Sequence, residues 1–393
     1  MTLRIKYIHE IFLEEIDKNM KKVLIVRSGP YQVNPEGYNL QELGLASAIS
    51  QQGYQCDVMY YHKTKNYDQL YEKNGEQIKI FWRRGIRLLR SGIYPQILRE
   101  KFLSQYDKII ISEYSQIMAV LLSRIHSNVY IYNGPYYNLF KIPIIEPIYD
   151  FLFVKMLNKR TKTVFCKTEK AKCYLKNKGF NDCKVVGVGL DIEKFEQEEE
   201  PTEDTIELLR RMENKQNILY VGSLSKRKNT AQLIRIFNIL KSKSGKKNKL
   251  QLVLIGKDED NIVEKINYSR FKDDIIYQPY LKNSQLQFIY PSSQLFVLPS
   301  VQEIFGMVLL EAMYFKLPVV SSASAGGETL IQDGINGKIV NDFNDEHWVD
   351  CIENLLNNPL ELKRLGECAH KRITEQFMWS SIARKMIETF DER

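Results

Sequence analysis

The residues best suited to chemistry lie between Pro299 and Met313, where seven residues separate Glu303 from Glu311. The apolar run Leu295–Leu298 just before them reads as a buried parallel strand, and open α/β sheets bind ligands at the carboxyl ends of such strands. Glu303 then falls in a loop, Phe305-Gly306 begins a helix, and Glu311 lies one to two turns inside it. The amides of Gly306, Met307 and Val308, backed by the helix dipole, suit a phosphate. Two carboxylates beside an anion would repel it unless they grip neutral hydroxyls. The combination points to a sugar nucleotide. Each residue alone would be ordinary: a loop acid, a helix-face acid, and for Lys228 a surface lysine.

The elements that must position these residues follow an alternating pattern. Val23 to Val26 is a short β-branched run ending in Ser28-Gly29-Pro30. Leu40 to Ile49 recurs at helical spacing up to Gly53, and Asp57 to Tyr61 reads as the next strand. This unit opens a parallel sheet, continued by Ile109 to Ile111, Val129 to Tyr132, Thr163 to Phe165 and Lys184 to Val186. Acidic residues then crowd around Pro201, a linker signature. The pattern restarts at Asn217 to Gly222, with a helix near Thr230 to Leu240 and strands at Leu250 to Ile255, Ile275 to Tyr277, Leu295 to Leu298 and Val319 to Ser321. The expected fold class is therefore α/β, with two doubly wound Rossmann-like domains.

Composition fits this organisation. The chain has 393 residues, 44% apolar and 26% charged, enough for two domains with their own cores. Six cysteines without a C-x-x-C pair argue against a zinc ribbon or a disulfide framework and fit a reducing cytoplasm. Acidic residues interrupt the first 22 positions, so a secretory signal is not expected, and the apolar stretch Leu139 to Leu157 carries too many charges to span a membrane. The net charge of +8 is uneven: 29 basic and 17 acidic residues lie through position 190, and 27 and 31 after it. A cationic first half points to an anionic partner.

Glu303 and Glu311 stand in PS-x-x-E-x-FG-x-x-x-LEAM-x-x-x-x-PVV, which resembles the signature of retaining glycosyltransferases of family 4, of GT-B fold. Other segments are similar in the same order: Gly37 to Ala46 with Gly53, Val186 to Asp191 with Phe195, Val221-Gly222-Ser223-Leu224 with Lys228-Asn229, Gly326-Gly327 with Asp333 to Gly337, and Phe377-Met378-Trp379. The resemblance implies two domains facing a cleft. Residues 20–190 would bind the acceptor, 191–205 would be an acidic linker, and 206–375 would bind the nucleotide sugar. Residues 376–393 would form a helix packing back on the first domain, and 1–19 an extension.

Carried over by position, the resemblance assigns Lys228, beside Gly222, to the donor diphosphate, Glu303 to hydroxyls of the transferred sugar and Glu311 to the ribose. Amides from Phe305 through Gly306 and Met307 to Val308 would meet phosphate or sugar, and Gly37 and Asn133 would lie on the acceptor side. It implies hexosyl transfer from a UDP- or GDP-sugar to a glycan or lipid-linked acceptor, with retention and with neither metal nor cofactor. The setting would be cell-surface polysaccharide or capsule assembly, in the cytoplasm or peripherally on the inner face of the membrane. Three positions depart from the pattern: Ser223 replaces an arginine, with Arg227 or Lys226 as substitute cation; Asn133 replaces a histidine; Lys316 replaces a glycine. The first two favour a rival reading, a non-catalytic GT-B-like partner subunit. An epimerase or phosphorylase using sugar nucleotides is a further rival.

Other signals read as structural. Asp258-Glu259-Asp260 mimics a metal-binding D-x-D but sits where an acidic turn or helix cap is commoner. Gly187-Val188-Gly189 lacks the rest of a dinucleotide fingerprint, and the five histidines show no ligand spacing. Two cationic stretches, Lys79 to Phe102 and Lys155 to Lys178, both suit membrane contact or ordinary exposed helix faces, the first as an interfacial helix on anionic lipid; no nucleic-acid motif accompanies them.

Overall fold

The computed structural model describes residues 20–35, 40–196, 199–243 and 249–392. The extension 1–19 and Gly37 lie outside the described residues. The chain divides into two compact units, one through Gly189 together with the residues from Trp379 on, the other Leu190–Met378.

The first unit is built on β1 (Lys22–Val26), β2 (Gln55–His62), β3 (Tyr67–Lys73), β4 (Glu76–Arg84), β7 (Lys108–Ser112), β8 (Val129–Asn133), β9 (Thr161–Cys166) and β10 (Cys183–Val185), in the order β10-β9-β8-β7-β1-β2-β4-β3. All neighbours pair in parallel except β3 and β4. The central strands are fully buried apolar runs, as a sheet covered on both faces requires. The order reverses between β1 and β7, which pair directly, so the carboxyl ends of these two strands form a switch point.

The last helix, Trp379–Asp391, belongs to this unit. Glycines make room for its first residue. A Cβ at Gly44 would lie 2.2 Å from the Trp379 indole, and one at Gly189 would lie 2.4 Å from it. Farther along, Phe390 packs on Tyr130 at 4.7 Å between ring centroids.

Residues 79–102 are not the helix that their spacing suggested. They form most of β4, then the short hairpin of β5 (Ile86–Leu88) and β6 (Ser91–Ile93). In β4, Ile78, Ile80 and Trp82 alternate into the core, and Trp82 stacks on Tyr67 and packs on Tyr60. Bulky β-branched and aromatic residues filling one pleat favour the strand. The arginines are largely engaged within the unit: Arg83 with Asp68 at 2.6 Å, Arg87 with the Tyr61 hydroxyl at 3.0 Å, and Arg90 with Glu113 at 3.1 Å.

The second unit carries six parallel strands, β11 (Gln216–Val221), β12 (Leu250–Ile255), β13 (Ile275–Gln278), β14 (Leu295–Leu298), β15 (Val319–Ser322) and β16 (Lys338–Val340), in the order β13-β12-β11-β14-β15-β16. This is the doubly wound dinucleotide order, with its switch point between β11 and β14. The described part of the stretch expected as a linker is docked on this unit. Glu199 accepts hydrogen bonds from Ser284 at 2.6 Å and from Gln285, and Thr202 caps a helix Glu203–Met212. The acids that looked like a solvated connection include first-turn residues of that helix, Glu203 and Asp204, where its dipole favours them.

Candidate functional site

The site assembles at the switch point of the second unit. β11 ends at Val221 and runs into Gly222, whose φ of 143° only glycine adopts readily. The next strand ends equally close: a Cβ at Gly256 would lie 2.1 Å from the Gly222 carbonyl oxygen. A tight turn follows, in which Ser225 Oγ accepts from the Lys228 amide at 3.3 Å and Asn229 takes a left-handed conformation, φ 56°. This turn aims Lys228 at the loop after β14.

There Lys228 Nζ pairs with Glu303 Oε2, and both side chains are nearly enclosed. Arg227 stands 3.9 Å from the same carboxylate oxygen and donates to the Gln302 carbonyl at 3.0 Å, while the Val301 amide donates to the Arg227 carbonyl. The two loops are thus tied by main chain as well as by charge. Of the two cations considered as a substitute at Ser223, Arg227 faces the site. Lys226 is placed by its amide, which donates to Asp260.

Gly306, at φ 79°, caps the helix Met307–Tyr314 and offers no side-chain acceptor, leaving first-turn amides for an external one. Phe305 is buried, and a Cβ at Gly326 would lie 2.0 Å from its carbonyl oxygen, so the loop is pinned against the following helix. Glu311 differs from what a surface ribose contact would need: it is 0% exposed. The Tyr290 hydroxyl donates to its Oε2 at 2.7 Å, Oε1 has no partner, and burial pushes its pKa well above the ordinary carboxylate value. Ser300 Oγ, at the end of β14, is a second buried polar atom without a partner.

Asn133 requires a correction. It is fully buried, its Oδ1 accepts from the Tyr114 amide at 3.3 Å and its Nδ2 donates to the Pro135 carbonyl at 2.9 Å. Its amide holds the end of β8 and is not offered to an acceptor. Asp258 caps the helix Ile262–Asn267 through the amides of Ile262 and Val263, at 2.8 and 3.0 Å.

Sequence reasoning missed a polar cavity of about 420 Å³ at the switch point of the first unit, lined by Arg27, Glu42, Arg90, Glu113, Tyr132 and Lys167 among others. Arg27, Glu113 and Lys167 each stand directly after a parallel strand, β1, β7 and β9. That position was the available signal. Glu113 also has a φ of 60°, a conformation that non-glycine residues adopt at a cost, and such strain concentrates at functional sites.

Part of the chain, this region included, is similar to known proteins. Residues 201–372 match the family described as glycosyl transferases group 1. An uncharacterised glycosyltransferase of Haemophilus influenzae is 32% identical over 152 residues, 38% of this chain and 42% of that protein. A 41.2 kDa protein of the cps region of Klebsiella pneumoniae is 29% identical over 172 residues, 43% of this chain and 44% of that protein. The chain spans about half the length of the curated relatives it matches, or somewhat less. HepE of Anabaena, solved in complex with UDP, superposes with a TM-score of 0.71 at 15% identity, covering 95% of this chain and all of that one. The fold is that of the GT-B glycosyltransferases.

Proposed function

We propose that this protein transfers a sugar, a hexose or a close relative, from a nucleotide-sugar donor to a hydroxyl of a glycan or lipid-linked acceptor. The observation that carries the reading is the Lys228–Glu303 pair, set at a switch point beside a helix start that has no side-chain cap. In the transfer, the bond from the anomeric carbon to the phosphate oxygen breaks and a bond to the acceptor oxygen forms. Negative charge develops on the departing diphosphate, where Lys228, Arg227 and the amides of Met307 and Val308 stabilise it, with no metal assigned to the step. Glu303, released from Lys228, accepts from a sugar hydroxyl. Glu311, which the resemblance assigns to the ribose, is fully buried, so we assign it to holding the helix behind the donor site through Tyr290. The acceptor proton passes to the leaving phosphate oxygen on the same face, which retains configuration and requires no enzyme nucleophile.

The HepE structures, one with UDP and one with UDP-glucose, support a uridine donor. The cps-region relative supports a role in cell-surface polysaccharide assembly. We assign donor binding to the second unit and acceptor binding to the first. Retention of Lys228 and Glu303 counts against a silent partner subunit.

A membrane-borne acceptor is supported by the helix Ile145–Arg160. Ile144, Ile148, Phe151 and Leu152 form an outward apolar stripe, with Phe151 88% exposed, and exposed Lys141, Lys155 and Lys159 flank it. Glu146 and Asp150, the acids of that helix, turn inward to Lys178. Apolar and basic groups on one face suit an anionic bilayer surface, and we place the protein peripherally on the cytoplasmic side. No helix among the described residues is long and apolar enough to cross a membrane.

A thermal-shift screen over UDP- and GDP-sugars tests the reading. Stabilisation by at least one donor is expected, because a ligand that binds only the folded state raises its stability. Absence of stabilisation by every nucleotide sugar would contradict it.

A further inference from the structure

The cavity of the first unit holds three cations and two carboxylates among its charged lining residues. Two of the cations are matched: Arg27 Nη1 meets Glu42 at 2.9 Å, and Arg90 Nη2 meets Glu113 at 3.1 Å. Lys167 has a different setting. Its Nζ donates to the neutral Gln41 side chain at 2.7 Å and lies 4.7 Å from the centroid of the Tyr132 ring. No carboxylate pairs with it among the contacts described. Arg90 Nη1 is buried and has no hydrogen-bond partner.

The surroundings hold these groups in place. The Lys167 amide donates to the Asn133 carbonyl at 2.9 Å, and Tyr132 is fixed by a hydrogen bond from its hydroxyl to the Gly187 carbonyl at 2.7 Å. Thr168, directly after Lys167, caps the next helix by accepting from the Ala171 amide. Glu113 accepts from both Arg90 and Gln116 on Oε2. One oxygen of each carboxylate is therefore engaged by fixed partners, while the Lys167 ammonium keeps capacity for an incoming group. Desolvation pushes the Lys167 pKa down, which an anion in the cavity would reverse.

We propose that this cavity binds an acceptor sugar through an anionic substituent, a carboxylate or a phosphate monoester, held by Lys167 Nζ. The inference rests on the acceptor role proposed for the first unit and adds the charge of the acceptor. With a neutral acceptor the Lys167 ammonium keeps only the Gln41 amide, the Tyr132 ring and the through-space pull of Glu42 and Glu113, whereas a charged one adds a charge-assisted hydrogen bond.

The test is isothermal titration of the full chain, saturated with UDP so that the donor site is filled, with glucuronate, glucose 6-phosphate and glucose. At least one of the two anionic sugars should bind about tenfold or more tighter than glucose, the discrimination a charge-assisted hydrogen bond supplies. Preference for glucuronate over glucose 6-phosphate would identify a carboxylate, and the reverse order a phosphate. Lys167→Met should erase the preference and Lys167→Arg should keep part of it, with UDP affinity retained in both. Equal binding of glucose and the anionic sugars, or a preference that survives in Lys167→Met, would overturn the proposal. Failure of UDP to bind the wild-type chain would instead be a failure of the glycosyltransferase reading.

Discussion

Lys228 Nζ and Glu303 Oε2 form an ion pair between the loop after β11 and the loop after β14, the two strands that flank the switch point of the second unit. Each charge is thereby held near its expected partner while being neutralised by the other. In the proposed function, donor binding would exchange one internal pair for two external contacts, ammonium to diphosphate and carboxylate to sugar hydroxyl. A nearly enclosed pair of this kind adds little net stability, but removing one member leaves the other buried and unmatched.

Lys228→Ala should therefore weaken UDP binding by about tenfold or more, because both the cation is lost and an unpaired carboxylate faces the phosphates. Uridine, which carries no phosphate, should bind as it does to the wild type. Titration of both ligands checks this, and equal losses for the two would remove the phosphate role.

Glu311 supplies a pH-dependent prediction. Burial raises its folded-state pKa, so the folded protein keeps a proton that the unfolded chain releases near the ordinary glutamate value of about 4.3. Above that value the unfolded state binds fewer protons, and stability falls with rising pH until the folded value is reached, by about 1.4 kcal/mol per pH unit within that window. Glu311→Gln carries no ionisable group and escapes this loss. Its melting temperature relative to wild type should rise from pH 5 to pH 8, and a constant difference would refute the buried-carboxyl account.

The exposed stripe on the helix Ile145–Arg160 should mediate membrane contact. Ile148→Asp with Phe151→Asp leaves the core untouched, since both side chains point outward. Burying each in a bilayer is worth about 1.5–3 kcal/mol, so the double variant should bind phosphatidylglycerol vesicles more than about tenfold more weakly. Undiminished sedimentation with vesicles would show that this face is not the contact.

What the sequence made legible depended on how each residue is positioned. Strands such as β1 and β14 are unbroken apolar runs bounded by loop residues, and the glutamates lie in one short segment, so both could be read locally. The stretch 79–102 could not, because its alternating basic and apolar residues satisfy a helical and a strand period alike. Only the packing of Ile78, Ile80 and Trp82 into a sheet decides between them. Nor could the burial of Glu311 or the main-chain duties of Asn133 be seen, since Tyr290 and Tyr114 reach them through tertiary contacts. The cavity around Lys167 draws its cations from strand ends far apart in sequence, and only the parallel sheet brings them together.

The most direct measurement is sugar transfer by Glu303→Ala, using the donor that stabilises the wild type. UDP should bind the variant at least as tightly as the wild type, because Lys228 is freed from its partner, and circular dichroism should be unchanged. Transfer should fall by about a hundredfold or more, the scale on which removal of one transition-state contact acts. Turnover at the wild-type rate in a folded, UDP-binding Glu303→Ala protein would contradict the account.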